Sequence, residues 1–403
     1  MRQLMKTILL SGFTIFIAIS LVTFPKDAFD ASLHGLDMWW GIVFPSLLPF
    51  FITAELLLSF GVVKFLGVLF EPIMRPLFNV PGTGSFAWIM GMASGYPTGA
   101  KITVRLREEK QLTRIEAERL VAFSNASSPL FIFGAVSVGF FYDPKLGLLI
   151  ATCHYVGNAI VGILMRFYGR SQERPTNNQK EKVSFFRAFR AMHETRIHDP
   201  RPFGEILGDA VLSSIKTLVM VGGFIILFSV LTKILYLVKI TPMIATFFES
   251  ILSLFSIPGE LTLPFISGLF EITIGANMIS NTTEAPLLAS IIIISFILGF
   301  NGLSIQAQVA SILAKTDIRF LPYFFGRILH GFIAALLTVL LYRPLYTERP
   351  AFFQSNPVPA FQMVFENHWS ATMQFIQDFG PAITILFLGI SAILLLQRAS
   401  HNR

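Results

Sequence analysis

FSNASSP at residues 123–129 and FNGLSIQAQ at 300–308 interrupt two otherwise apolar stretches with small polar residues, Gly and Pro, and a single offset superimposes them. A step of 176 positions carries Asn125 to Asn301 and Ser128 to Ser304. The same step carries Gly99 and Ala100 to Gly275 and Ala276, and His154 to His330. Interruptions of apolar sequence that recur at one offset are the signature of an internally duplicated secondary transporter. The half-helix ends at such breaks carry partial charges that hold ions or polar ligands.

Composition fixes the solvent. Of the 403 residues 53% are hydrophobic, 14% are charged and 42 are Phe, more apolar surface than a soluble domain buries. The chain reads as an all-α polytopic membrane protein whose first partner is the lipid bilayer. Its one cysteine, Cys153, lies in an apolar stretch, so no intrachain disulfide and no Cys-ligated metal site is expected. The net charge of +7 is gathered in particular loops without a nucleic-acid motif, so nucleic acid is not an expected partner.

Length and punctuation give the spans. Residues 4–24 form an apolar run behind Arg2 and Lys6 with no small-residue cleavage site before Pro25, which favours a retained helix over a signal peptide. Further spans are expected at 38–60, 116–141, 146–168, 210–237, 284–313, 322–342 and 381–397, about eight in all. Two apolar stretches dense in Gly, Pro, Thr and Asn, 83–100 and 261–280, read as re-entrant hairpins. Non-helical backbone at that depth survives only inside protein or beside a wet cavity.

Charge orients this threading. With both termini cytoplasmic, the segments 2–6, 61–119, 166–205, 314–321 and 398–403 hold 23 Lys and Arg, whereas the external segments hold five: Lys26, Lys145, Lys239, Arg343 and Arg349. Lys216, Lys233 and Arg327 are left near helix ends, where long basic side chains snorkel. The organisation that follows is an N-terminal helix and external loop at 1–36, a first repeat at 37–168 and a basic, solvated cytoplasmic linker at 169–208. A second repeat at 209–342 is followed by an external connection with a final helix at 343–403. An odd number of crossings per repeat makes the pair inverted, with hairpins entering from opposite faces.

Chemistry gathers at the hairpins and breaks. SGYPTGAK at 94–101 sets Gly95, Pro97 and Gly99 around Tyr96 and Thr98, a turn that a ligand can approach closely, and Lys101 follows. EITIGAN at 271–277 matches it, with Glu271, Thr273, and Asn277 in the place of Lys101. Candidate substrate contacts are Tyr96, Thr98, Lys101, Asn125, Ser127, Ser128, Asn277, Asn301, Ser304 and Gln306. Glu271 and Glu55 are candidate coupling or charge-pair groups, Glu271 through a cation, a proton or Lys101. Plainer readings compete. Gly91, Gly95 and Gly99 at spacing four serve equally for close helix packing, the amides and hydroxyls for interhelical hydrogen bonds, and Lys101 as a marker of the hairpin's cytoplasmic end. His154 and His330 suggest shared packing or hydrogen bonding more than catalysis. HETRIH at 193–198 has one residue too many for a zinc-protease motif, and no Walker-A sequence occurs. Neither a catalytic residue, a metal nor a cofactor is expected.

PSLLPFF at 45–51, SGYPTGAK, SNASSP and GFNGLSIQAQ together resemble the sporulation integral membrane protein YlbJ (SpoVV) family, whose hairpin regions belong to the nucleoside-recognition or Gate group. The resemblance covers nearly the whole chain. It implies a plan similar to that of concentrative nucleoside transporters, with two inverted repeats that each hold a re-entrant hairpin and a broken helix. It further implies a mother-cell protein of the outer forespore membrane that moves dipicolinic acid, a small planar dianion, toward the forespore. On this reading Lys101 would offset a carboxylate, Thr98, Ser127 and Ser128 would donate to it, and Tyr96 would contact the ring. Two alternatives stay open: a transporter of nucleosides or other small solutes, and a ligand-sensing membrane protein without turnover. The sequence also leaves homo-oligomer formation open.

Overall fold

The computed structural model describes residues 2–170 and 185–348. Among them every regular element is helical: α1 (Arg2–Thr23), α2 (Pro25–Met38), α3 (Phe44–Ser59), α4 (Val62–Phe78), α5 (Gly84–Ser94), α6 (Thr98–Glu108), α7 (Arg114–Ser124) and α8 (Pro144–Met165). Then follow α9 (Phe185–His198), α10 (Phe203–Leu237), α11 (Ile240–Ser253), α12 (Thr262–Phe270), α13 (Ile272–Ser280), α14 (Leu287–Phe300), α15 (Gly302–Leu313) and α16 (Phe320–Tyr342). Wide helical turns fill Trp39–Val43, Leu130–Phe140 and Arg343–Thr347.

Among the described residues four helices are long and apolar enough to cross a membrane, and up to six spans result if each of two bent pairs counts as one. The bends lie between α1 and α2, at 103°, and between α3 and α4, at 82°. The expected eighth helix at 381–397 lies outside the described residues, as do most of 343–380 and residues 171–184 of the linker. Apolar side chains such as Ile8, Leu212, Val219, Phe332 and Leu336 stay exposed, as a lipid-facing surface requires.

The 176-residue step recurs in the elements. Ser124 ends α7 and Phe300 ends α14, while α8 begins at Pro144 and α16 at Phe320. Each hairpin is a pair of short helices, α5–α6 and α12–α13, and each broken span is two helical pieces, α7 with Leu130–Phe140 and α14 with α15. Residues 25–37, expected as an external loop, are instead helix. Pro25 suits the first helical turn, and the small residues Ala28 and Gly35 are buried against α10. A Cβ on Gly35 would lie 2.9 Å from Ile226 Cα, and the Ser229 hydroxyl donates to the Ala31 carbonyl at 2.8 Å. Within the expected linker, 185–198 forms α9 against α4, where Phe185 meets Phe65 edge-on at 5.3 Å.

Local signals place the breaks. A capping box starts α7: Thr113 accepts from Glu116 N–H while the Glu116 carboxylate accepts from Thr113 N–H. Helix α7 stops where Asn125 turns extended, with φ −105° and ψ 96°. Helix α14 stops at Asn301, whose φ of +78° is a left-handed turn that Asn tolerates, and Gly302 follows at +58°. One core surrounds the first hairpin and α7 with Phe78, Phe86, Leu120 and Phe123. Another surrounds the second hairpin and α14 with Phe265, Ile291, Ile294 and Ile297.

Candidate functional site

Helix α16 packs against α7, α8 and α14, and so reaches the broken spans of both repeats. Its glycines allow the approach. A Cβ on Gly326 would lie 2.9 Å from that of Ala122, and one on Gly299 would lie 2.7 Å from Gly331 Cα. Between those glycines stands Arg327, fully buried. The sequence pattern predicts Arg327 at a helix end with its charge snorkelling to water. The structure corrects this, because the side chain turns inward among polar groups and no carboxylate hydrogen-bonds it among the described residues.

Arg327 joins the two breaks. Its Nε donates to the Gly299 carbonyl at 3.0 Å, and its Nη1 to the Ala122 carbonyl at 3.3 Å and to Asn158 Oδ1 at 3.1 Å. Its Nη2 donates to Asn301 Oδ1 at 3.0 Å and to His330 Nδ1. A guanidinium only donates, so His330 Nδ1 accepts and His330 Nε2–H donates to the His154 carbonyl at 2.8 Å. The two histidine rings lie 4.7 Å apart. His154 Nε2 accepts from Ser127 N–H at 3.0 Å, which places its proton on Nδ1. Asn125 and Asn301 each donate to the Tyr323 hydroxyl at 3.1 Å, so one phenol ties the two break asparagines together.

The other expected contacts divide into a central group and a peripheral one. Tyr96, at the first hairpin tip, reaches Ser127 Oγ at 2.6 Å and donates to the Leu298 carbonyl at 2.9 Å in the second repeat. Ser127 and Thr98 are buried, Thr98 bonding Ser94, and Ser128 accepts from Phe131 N–H at 3.3 Å. Ser304 is buried beyond the second break, and Gln306 folds back to donate to the Phe300 carbonyl at 2.7 Å. Buried Asn125 Oδ1 and Gln306 Oε1 have no hydrogen-bond partner among the described residues. Asn277, by contrast, is exposed and accepts from Asn281 at 2.9 Å, away from this centre.

Charge pairing also differs from one of the expectations. Lys101 does not pair with Glu271. It pairs with Glu55 at 2.8 Å, with the Ser213 hydroxyl donating to Glu55 at 3.1 Å and Phe51 lying under the ammonium at 5.3 Å. Lys101, Glu55 and Phe51 line a small crevice with Thr98 and Ile102. Glu271 is buried as the N-cap of α13, accepting from Ile274 N–H at 2.9 Å and from the Thr273 hydroxyl. Away from the centre, Glu118 meets Arg319 at 2.9 Å and Arg107 meets Asp317 at 2.8 Å, tying the first repeat to the second. The hydrogen bond from Arg107 holds the Asp317 carboxyl below the usual range.

Arg327, Tyr323 and Asn158 were missed as site residues. One signal was legible for the first: Arg327 and His330, three apart within an apolar helix, share a face, and an ionisable residue inside a membrane span is functional by default.

Paired hairpins and broken helices that meet across an internal repeat define a helical membrane protein with a duplicated plan. The Gate family, described as nucleoside recognition, matches residues 40–141 and 218–316. Across 402 residues, 98% of this chain and 97% of the relative, the sequence is 49% identical to the sporulation integral membrane protein YlbJ of Bacillus subtilis (strain 168). The chain belongs to the YlbJ family. An uncharacterised protein of Alkalihalophilus pseudofirmus is 33% identical over 120 residues, 29% of this chain and 25% of that protein. No solved structure matches.

Proposed function

We propose that this chain is a membrane transporter of a small planar dianion, dipicolinate, which it carries out of the mother cell across the outer forespore membrane during endospore formation. The observation that carries the reading is Arg327, a fully buried guanidinium at the junction of both breaks with no carboxylate partner among the described residues. A fixed positive charge in a low-dielectric interior favours an anion over a neutral solute. Around it Tyr96 and Ser127 offer hydroxyls, and Asn125 and Gln306 offer amides, enough polar groups to orient two carboxylates once the centre opens, with Ser128 and Thr98 on the adjoining break and hairpin. Similarity to a sporulation integral membrane protein supports the setting. Description of the Gate family as nucleoside recognition favours nucleosides as the second reading.

Flux into proteoliposomes separates the two. Labelled dipicolinate is expected to enter saturably, with unlabelled dipicolinate competing and uridine not competing. Saturable uridine entry without dipicolinate entry would transfer the chain to the nucleoside class.

A further inference from the structure

A guanidinium has five N–H bonds, and in Arg327 all five are engaged: one at Nε on Gly299, two at Nη1 on Ala122 and Asn158, and two at Nη2 on Asn301 and His330. Two of the acceptors are backbone carbonyls in the last turns of α7 and α14, where intrahelical partners run out. Those ends form the negative poles of the two half-helices. Neighbouring carbonyls are taken by other side chains, Phe123 by the Asn158 amide and Phe300 by Gln306. In transporters built on broken helices, half-helix C-terminal ends and unwound carbonyls are where a coupling cation sits. Carbonyl and amide oxygens of this kind are also the ligands a hard metal cation takes.

We propose that Arg327 is a tethered cation that stands in the place of a coupling metal ion, so that the breaks of this protein bind neither Na+ nor K+. One charge serves both repeats, since the position 176 residues earlier is Ala151. With every N–H engaged, the guanidinium acts on a substrate anion through its charge and leaves direct contacts to neighbouring hydroxyls and amides. The energetic logic is reciprocal. An isolated charge at this depth is costly, and two facing helix C-termini without a cation are costly as well. The proposal rests on the transporter reading only for its consequence for coupling; the cation site stands on the hydrogen bonds alone.

The test is thermal unfolding of the purified full chain in NaCl or choline chloride, with and without 10 mM methylguanidinium. Wild type is expected to melt at the same temperature in all of them. Arg327→Ala is expected to melt lower and to regain at least about 3 °C with Na+ or methylguanidinium but not with choline, as a ligand that binds only the folded state requires. Stabilisation of wild type by Na+ over choline, or a folded Arg327→Ala that responds to neither ion, overturns the proposal. Should Arg327→Ala yield no folded protein, Arg327→Lys decides: it is expected to fold and to ignore Na+, and a Lys variant that requires Na+ or does not fold overturns the proposal. These readouts do not depend on flux, so a chain that moved no dipicolinate would sink the transporter reading and leave the cation site standing. Where flux is measurable, replacing Na+ with choline is expected to change wild-type dipicolinate uptake by less than about twofold.

Discussion

Gly99 and Gly275 hold the same place in their hairpins and meet different neighbours. A Cβ on Gly99 would stand 1.8 Å from the Ser124 carbonyl oxygen, and Gly91 meets the same oxygen at 1.7 Å, so the first hairpin is wedged against the end of its broken helix. On Gly275 a Cβ would strike Gly268 Cα at 2.2 Å, a contact within the second hairpin itself. Charge divides the pair further: Lys101 of the first hairpin is matched by Glu55, whereas buried Glu271 of the second accepts from neutral donors. The repeat therefore conserves geometry while distributing chemistry unequally. The first hairpin is fastened to the break and to α3, and the second is packed mainly on itself and its neighbours.

One added methyl group separates the two hairpins. In Gly99→Ala the obstacle is backbone, which cannot rotate away, so about 1–3 kcal/mol of stability should be lost. Dipicolinate flux should fall by about tenfold or more, because the wedge sits at the break. Gly275→Ala should lose comparable stability and keep more of its flux. Melting curves read alongside uptake would show this, and equal loss of flux in both variants would mean that the hairpins are functionally equivalent.

A smaller effect is expected from the charges. Removing one partner of the Lys101–Glu55 pair leaves the other three-quarters or more buried, so Lys101→Gln and Glu55→Gln should each cost about 1–2 kcal/mol. The double variant should cost less than their sum by about 1 kcal/mol. Glu271→Gln retains an oxygen that accepts from Ile274 N–H and Thr273, and should cost less than about 1 kcal/mol. Denaturation of the four proteins would check the ordering, and additivity in the double variant would remove Glu55 as the partner that matters.

What the sequence made legible was local. Gly, Pro, Asn and Ser interrupting apolar runs located both hairpins and both breaks, because such residues stop a helix wherever it is packed. Partners from distant segments were not legible. Nothing in the run 320–342 announces that Arg327 bonds Ala122 and Asn158, which lie 205 and 169 positions away, and counting charge at span ends sent it to the lipid interface instead. Glu55 carried no sign of Lys101, 46 positions on. Helix α2 was lost for a related reason: its Lys and Asp residues read as loop, while the small residues Ala28 and Gly35, seven apart on one face, were what packed it on α10.

The proposed function requires that the two breaks form one anion site around Arg327. It is tested most directly by labelling single cysteines at Ser128→Cys and Ser304→Cys, one from each repeat, in a Cys153→Ala background in proteoliposomes. Saturating dipicolinate is predicted to slow thiol labelling at both positions by about threefold or more, since a bound ligand of this size is largely enclosed, while uridine leaves both rates unchanged. Protection at neither position, or at one alone, would contradict a shared site.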